Sequence, residues 1–324
     1  MSISTHSRNR LLGLLVLGEL ASLVYLGAIA QAAVLTGVAY VLFPELAALA
    51  YDVFVRPAGV WAKSPGMLAV TPIATAFVGT LIARTMPYDA VSVSLSIASA
   101  MLVIRVMRSQ VAPGISAAFL PLALGVTSWW YPASIALGTC GLALLSSLYG
   151  RAIGARQAPC PPGDVDDEME RAPRRYAWLP VFVAFLALVY ALGAATGLKL
   201  ILFPPLVVIA FEMFAHAEVC PWAARPFALP LACTFIAGVG VAWLGVFGPG
   251  PLSVVLTMAV GIASLRLIRV HIPPALAIGL LPQVIPHADW HFALAVGIGT
   301  STLVATFLSA RWLLPSLRRP LAAR

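Results

Sequence analysis

An all-α, polytopic transmembrane bundle of two parallel tandem repeats is the fold class this sequence predicts, and three observations carry the prediction. The first is composition: of 324 residues 61% are hydrophobic and 10% charged, with a mean hydropathy of +0.96. A soluble domain carries about 25% charged residues. Polar side chains are therefore too few to coat a water-facing surface, and lipid must cover much of the chain. The second is that the apolar runs are long and apolar on all sides, without the period-2 alternation of barrel strands. Backbone groups in lipid must bond internally, which leaves helices as the spanning element. The third is internal repetition.

Residues 36–54 read TGVAYVLFPELAALAYDVF, and residues 196–214 read TGLKLILFPPLVVIAFEMF, an offset of 160. One extra residue near position 216 makes the offset 161 from there on. Trp61 then meets Trp222, Pro65 meets Pro226, and Arg105 and Arg108 meet Arg266 and Arg269. Pro113 meets Pro274, Pro121 meets Pro282, and Trp129 meets Trp290. Chance matching of apolar residues does not pair Arg, Trp and Pro at one fixed offset. The polar stretch 152–176 falls between the copies, with Pro159, Pro161, Pro162, acids from Asp164 to Glu170, and Arg171, Arg174 and Arg175. It reads as a solvated linker, so the units are 1–151 and 177–324. Arg8 and Arg10 before an apolar stretch, with Ala28-Ile29-Ala30 after it, resemble a signal peptide. The counterpart of the same stretch in mid-chain argues for a span instead.

The net charge of +8 does not indicate nucleic acid, because the basic residues sit mainly at segment ends, as at Arg8, Arg10, Arg151, Arg156, Arg318 and Arg319. That is the positive-inside pattern. It places the N-terminus, linker and C-terminus together on the cytoplasmic side of a plasma membrane, the bacterial inner membrane. The expected partners are the lipid bilayer and a small solute, and assembly with further copies of the chain stays open. The four cysteines form no C-x-x-C pair and read as small core residues.

A crossing helix needs about 20 mainly apolar residues. Each unit has four such stretches, near 11–35, 66–86, 89–108 and 131–150, and near 177–197, 227–246, 252–269 and 292–313. Two further stretches per unit are short and start at proline: 43–54 and 113–126, then 203–214 and 274–286. Proline is favoured at a first helical position, where its missing N–H would have had no partner anyway. Either the short helices are re-entrant, giving four spans per unit, or they cross in broken form, giving six. Six places Arg56, Lys63, Arg105, Arg108 and Arg151 on the side of the N-terminus, with Arg84 as the exception. Both counts are even, so the units share one orientation.

LRLIRVHIPPALAIGLLP (265–282) is similar to the signature of the HPP family of integral membrane proteins, named for a His-Pro-Pro motif, and FPPLVVIAFEMF before Pro226 resembles that family's preceding region. VIRVMRSQVAPGISAAFLP (103–121) is a degraded copy. Two departures are visible: Ile272 stands between His271 and Pro273, and the first unit has Gln110 and Ala112 where the motif has His and the first proline. The resemblance implies about four spans per unit and, from members described as nitrite transporters, a small inorganic anion as substrate.

The residues offer chemistry of their own. A short helix starting inside the membrane aims its positive dipole end and N–H groups at whatever lies there. The starts at Pro44, Pro113, Pro204-Pro205 and His271-Ile272-Pro273-Pro274 are therefore expected to face a shared anion-binding cavity, against the alternative that the prolines only end packed helices. Asp52 pairs by position with Glu212, and both lie late in short helices, where the dipole opposes a negative charge. Each is expected to find a cation, and Arg105 and Arg266 are the candidates, either lining an anion path or serving as structural partners. Arg108 and Arg269 read as interfacial, snorkelling residues. His271 either carries a proton or caps. Glu19 has no acidic counterpart and is a weak relay candidate. His287-x-Asp289-x-His291 has metal-like spacing, but its counterpart Val126-x-Ser128-x-Trp130 has no such ligands, so an interfacial loop is the preferred reading. No metal or other cofactor and no enzymatic activity is expected. Export of aromatic or amphipathic organic acids, and a non-transport membrane role, stand as rival readings.

Overall fold

The computed structural model describes residues 5–154, 169, 173 and 176–313. The acidic run from Asp164, and the basic residues Arg156, Arg174, Arg175, Arg318 and Arg319, lie outside the described residues, as do the side chains of Arg8 and Arg10. Every described regular element is a helix. In chain order these are α1 (Thr5–Thr36), α2 (Leu46–Val55), α3 (Val60–Lys63), α4 (Pro65–Thr85), α5 (Ala90–Val106), α6 (Gly114–Leu124) and α7 (Trp130–Ala152). Then come α8 (Leu179–Thr196), α9 (Pro204–Ala215), α10 (Pro221–Ala224), α11 (Ala228–Phe247), α12 (Pro251–Ile268), α13 (Pro273–Leu280) and α14 (Trp290–Leu313).

Among the described residues seven helices are long and apolar enough to cross a membrane: α1 over Gly13–Thr36, α4, α7, α8, α11, α12 and α14. Eight were expected. The eighth, α5, has 17 residues where its counterpart α12 has 18, and ends because Arg108 turns into the left-handed region at φ 50°. The outer faces of the long helices leave Val24 73%, Leu231 68% and Leu267 84% exposed. Such an apolar exterior suits hydrocarbon rather than water.

The proline-started helices form where the residues placed them. Pro204 and Pro273 open α9 and α13, Pro113 precedes Gly114 of α6, and Pro44-Glu45 form the turn before α2. α13 is shorter than expected. It passes at Leu281–Gln283 into a 3-10 turn, where Pro282 lacks the N–H an α-helix needs.

The short helices run alongside the long ones. The Thr71 hydroxyl of α4 donates to Ser109 Oγ at 2.6 Å, Gly79 abuts the backbone of Ala118, and Arg84 donates to Thr127 O at 2.6 Å. α6 and its lead-in thus follow α4, in the same direction, for roughly 20 Å at 1.5 Å rise per residue. On the opposite course, α2 ends beside the first half of α1, where a Cβ on Gly18 would overlap the Phe54 carbonyl.

Glycine sets the closest approaches. A Cβ at Gly79 would collide with Ala118 backbone, and one at Gly240 with Gly279 backbone. A Cβ at Gly138 would press on Leu46, and one at Gly299 on Leu206 and the Ile201 carbonyl. Small residues at such crossings let helix backbones touch, which is how helices gain packing energy where no hydrophobic effect drives them together.

Candidate functional site

The four short helices make the centre of the molecule. Leu46–Phe54 of α2, Gly114–Ala123 of α6 and Pro273–Leu280 of α13 are buried throughout, as is α9 except at Phe211 and Ala215. α2 packs on α13, α13 on α9 and α9 on α6, so each half lays its short helices against those of the other. Pro44, Pro113, Pro204, Pro205, Pro273 and Pro274 all lie inside this core.

The expected open anion cavity is not what these starts present. Prolines carry no N–H, so the first two residues of α9 and of α13 donate nothing. The next amides are already engaged: Leu206 N bonds Phe203 O and Ala275 N bonds Ile272 O, both at 3.0 Å. In the first half Leu46 N and Ala47 N bond Phe43 O and Pro44 O at 2.9 and 3.0 Å, and Ile115 N bonds Ala112 O at 2.9 Å. These i→i+3 bonds tighten the first turns and satisfy the orphan donors. What remains at the starts is the dipole of each helix, not a row of free amides.

One start carries a carboxyl that sequence reasoning passed over. Glu45, the residue before α2, is 2% exposed, and neither carboxylate oxygen has a hydrogen-bond partner. The Ser116 hydroxyl, in the first turn of α6, faces it. Ser116 Oγ is also buried without a partner, so the two groups meet without closing a hydrogen bond of good geometry. Tyr131 of α7 stands within electrostatic reach of Glu45 and donates its own O–H to Ala117 O at 2.8 Å. Among the described residues no Lys, Arg or His forms an ion pair with Glu45. A helix N-terminus offsets at most about 2 kcal/mol for a negative charge, whereas desolvating an ionised carboxylate costs several kcal/mol even after relaxation. The spot is therefore short of positive charge. The signal was present at offset 160: Pro44-Glu45 stands opposite Pro204-Pro205.

The other charges find partners different from those expected. Asp52 bonds Arg56 of its own helix at 2.7 Å, because a residue four positions on shares its face. It does not pair with Arg105 or Arg266. Glu212, 6% exposed, lies one turn before His216, which occupies the place of Arg56. Arg266 of α12 pairs with Glu19 of α1, joining the halves in a groove of about 530 Å³ lined by Val16, Leu20, Leu23, Ala259 and Ile262. Arg105 lies over the Tyr176 ring at 5.2 Å. Both arginines are exposed and neither reaches the short-helix starts. Arg108 and Arg269 are exposed and take φ values of 50° and 52°, closing α5 and α12.

His271 is half-buried, its ring 5.9 Å from that of Tyr51, where α13 meets α2. His291 Nδ1 lies 2.8 Å from Asp289 Oδ2, and that bond holds the Asp289 carboxyl below the usual range. His287 and Asp289 are exposed in the loop before α14 and His291 in its first turn, and no metal-holding group of three ligands occurs among the described residues. With Lys199 they line a second groove of about 370 Å³.

The chain matches no family model, no curated protein and no solved structure. The fold by itself defines, over the described residues, an all-helical protein with seven helices long and apolar enough to cross a membrane.

Proposed function

We propose that this protein is a secondary transporter or channel for a small inorganic anion, working from the bacterial inner membrane and without enzymatic activity. The observation that carries the reading is the buried meeting of four short helices, two from each half, at the heart of a lipid-facing bundle. Broken helices in corresponding places of two repeats are where transporters hold their substrates. The two halves read as parallel repeats, each crossing six times, with the N-terminus, linker and C-terminus on the cytoplasmic side. Supporting this are the same element order in α1–α7 and α8–α14 and the same glycine contacts at Gly79 and Gly240, and at Gly138 and Gly299. The arrangement described is closed. Rocking of one half against the other would part the starts and expose their positive dipole ends to an anion. Nitrite is the first candidate, through the resemblance to the HPP family.

Uptake of labelled nitrite into proteoliposomes tests the reading against an aromatic acid. Saturable nitrite uptake that the aromatic acid neither shares nor blocks is expected. Uptake of the aromatic acid alone, or of neither solute, overturns the anion reading. Arg105→Gln and Arg266→Gln should leave nitrite uptake within about twofold, since an exposed ion pair or ring contact contributes at most about 1 kcal/mol.

A further inference from the structure

The geometry points to a binding site for one small monovalent cation, a proton or Na⁺, formed by Glu45 and Ser116 where α2 meets α6. Three buried oxygens carry the assignment: both carboxylate oxygens of Glu45 and the Ser116 hydroxyl are buried without a hydrogen bond of good geometry, and Ser116 lies close enough to act on the Glu45 carboxyl. Native proteins rarely leave such groups unmatched. Oxygen donors of this kind suit a hard cation, and a lone buried carboxylate needs one positive charge beside it. A proton satisfies that need on the carboxyl itself, leaving an O–H that donates to Ser116. Na⁺ satisfies it by taking oxygen ligands.

The surroundings supply no substitute. Tyr131 on α7 has its O–H committed to Ala117, and Tyr25 on α1 donates to Gly138 O. Tyr40 lies edge-on to Tyr131. α13 contributes no titratable side chain over Pro273–Leu280. On α2 itself Asp52 is paired with Arg56, and His271 sits against Tyr51, more than a turn further along. The matched place in the second half holds Pro205, Ala277 and Phe292 for Glu45, Ser116 and Tyr131, so a single charge is taken per molecule. Resting on the transport reading, this site couples cation and anion. With its charge neutralised, Glu45 no longer answers the dipole of α2, and an anion meets that positive end. With the charge restored, the protein's own carboxylate fills the role.

Thermal unfolding of the full chain in detergent reads the site without any flux. The unfolded carboxyl ionises in the ordinary range, while ionising Glu45 in the folded core leaves a buried charge uncompensated. Stability should therefore fall as pH rises from about 5 to about 9 in Na⁺-free buffer. A loss of roughly 3 °C or more is expected, together with a flat profile in Glu45→Gln. At about pH 9, Na⁺ that raises the wild-type melting temperature saturably, and does not raise that of Glu45→Gln or Ser116→Ala, identifies Na⁺ as an occupant. No Na⁺ effect identifies the proton. A wild type insensitive to both, a pH response that survives in Glu45→Gln, or one that disappears in His271→Gln overturns the assignment. If Glu45→Gln does not fold, Glu45→Asp replaces it: the site predicts a displaced midpoint, and an unchanged one rejects it. Nitrite uptake by the same preparation separates the two proposals. A Glu45-dependent response without uptake keeps the site and removes the anion reading, and uptake with no such response does the reverse.

Discussion

The starts of α2 and α6 and the starts of α9 and α13 share one design and differ in chemistry. Both pairs are buried and begin at or just after proline, and further along one helix of each pair a glycine of a long helix meets backbone, Gly79 at Ala118 and Gly240 at Gly279. In the first pair Glu45, Ser116 and Tyr131 gather polar atoms. In the second Pro205, Ala277 and Phe292 offer none. The two pairs are alike in burial and in their prolines, and the polar group stands in one of them. Backbone packing depends on small residues and proline, which both halves keep. A buried carboxyl is costly wherever it stands.

The comparison breaks most visibly if a carboxyl is placed in the dry pair. Pro205→Glu at neutral pH should cost about 3 kcal/mol, the scale for an ionisable group at bilayer depth, read as a lowered unfolding transition in detergent. A neutral outcome would mean that the second pair already holds polar partners and that the two sites are alike. The shared scaffold is tested next. Gly79→Ala and Gly240→Ala should each destabilise by about 1–3 kcal/mol through overpacking, and by similar amounts. A loss confined to one position would show that only one half depends on the close crossing.

The smallest effect concerns the caps of α5 and α12. Asp89 accepts from Ser92 N at 2.8 Å, and that bond holds its carboxyl below the usual range. At the matched place, Gly250 N is answered by Gln283 Oε1 at 3.3 Å, an amide that does not titrate. A lowered carboxyl contributes stability above the ordinary carboxylate range and loses it as pH falls through its folded value. Hydrogen exchange in the first turn of α5 should therefore quicken on acidification relative to that of α12, and Asp89→Asn should abolish the difference.

Much of the architecture was legible in the residues. The apolar runs marked the long helices, and the paired prolines at 204–205 and 273–274 marked where two short helices start. The charges were not legible in the same way. Asp52 was matched to distant arginines although Arg56 lay one turn away, and Arg266 went to Glu19 on a helix of the other half. The starts were read as donors, but proline and 3-10 closure had consumed the donors.

Sequence alone determined which segments are lipid-compatible helices and where they begin, because hydrophobic length and the missing proline N–H act locally. Tertiary structure alone decided that the four short helices meet, that their starts are closed, and that Glu45 is buried near Ser116 with no ion pair to a Lys, Arg or His among the described residues. Those outcomes depend on which surfaces touch across hundreds of residues. Burial turns an ordinary carboxyl into a demand for charge only once neighbouring helices have excluded water from it.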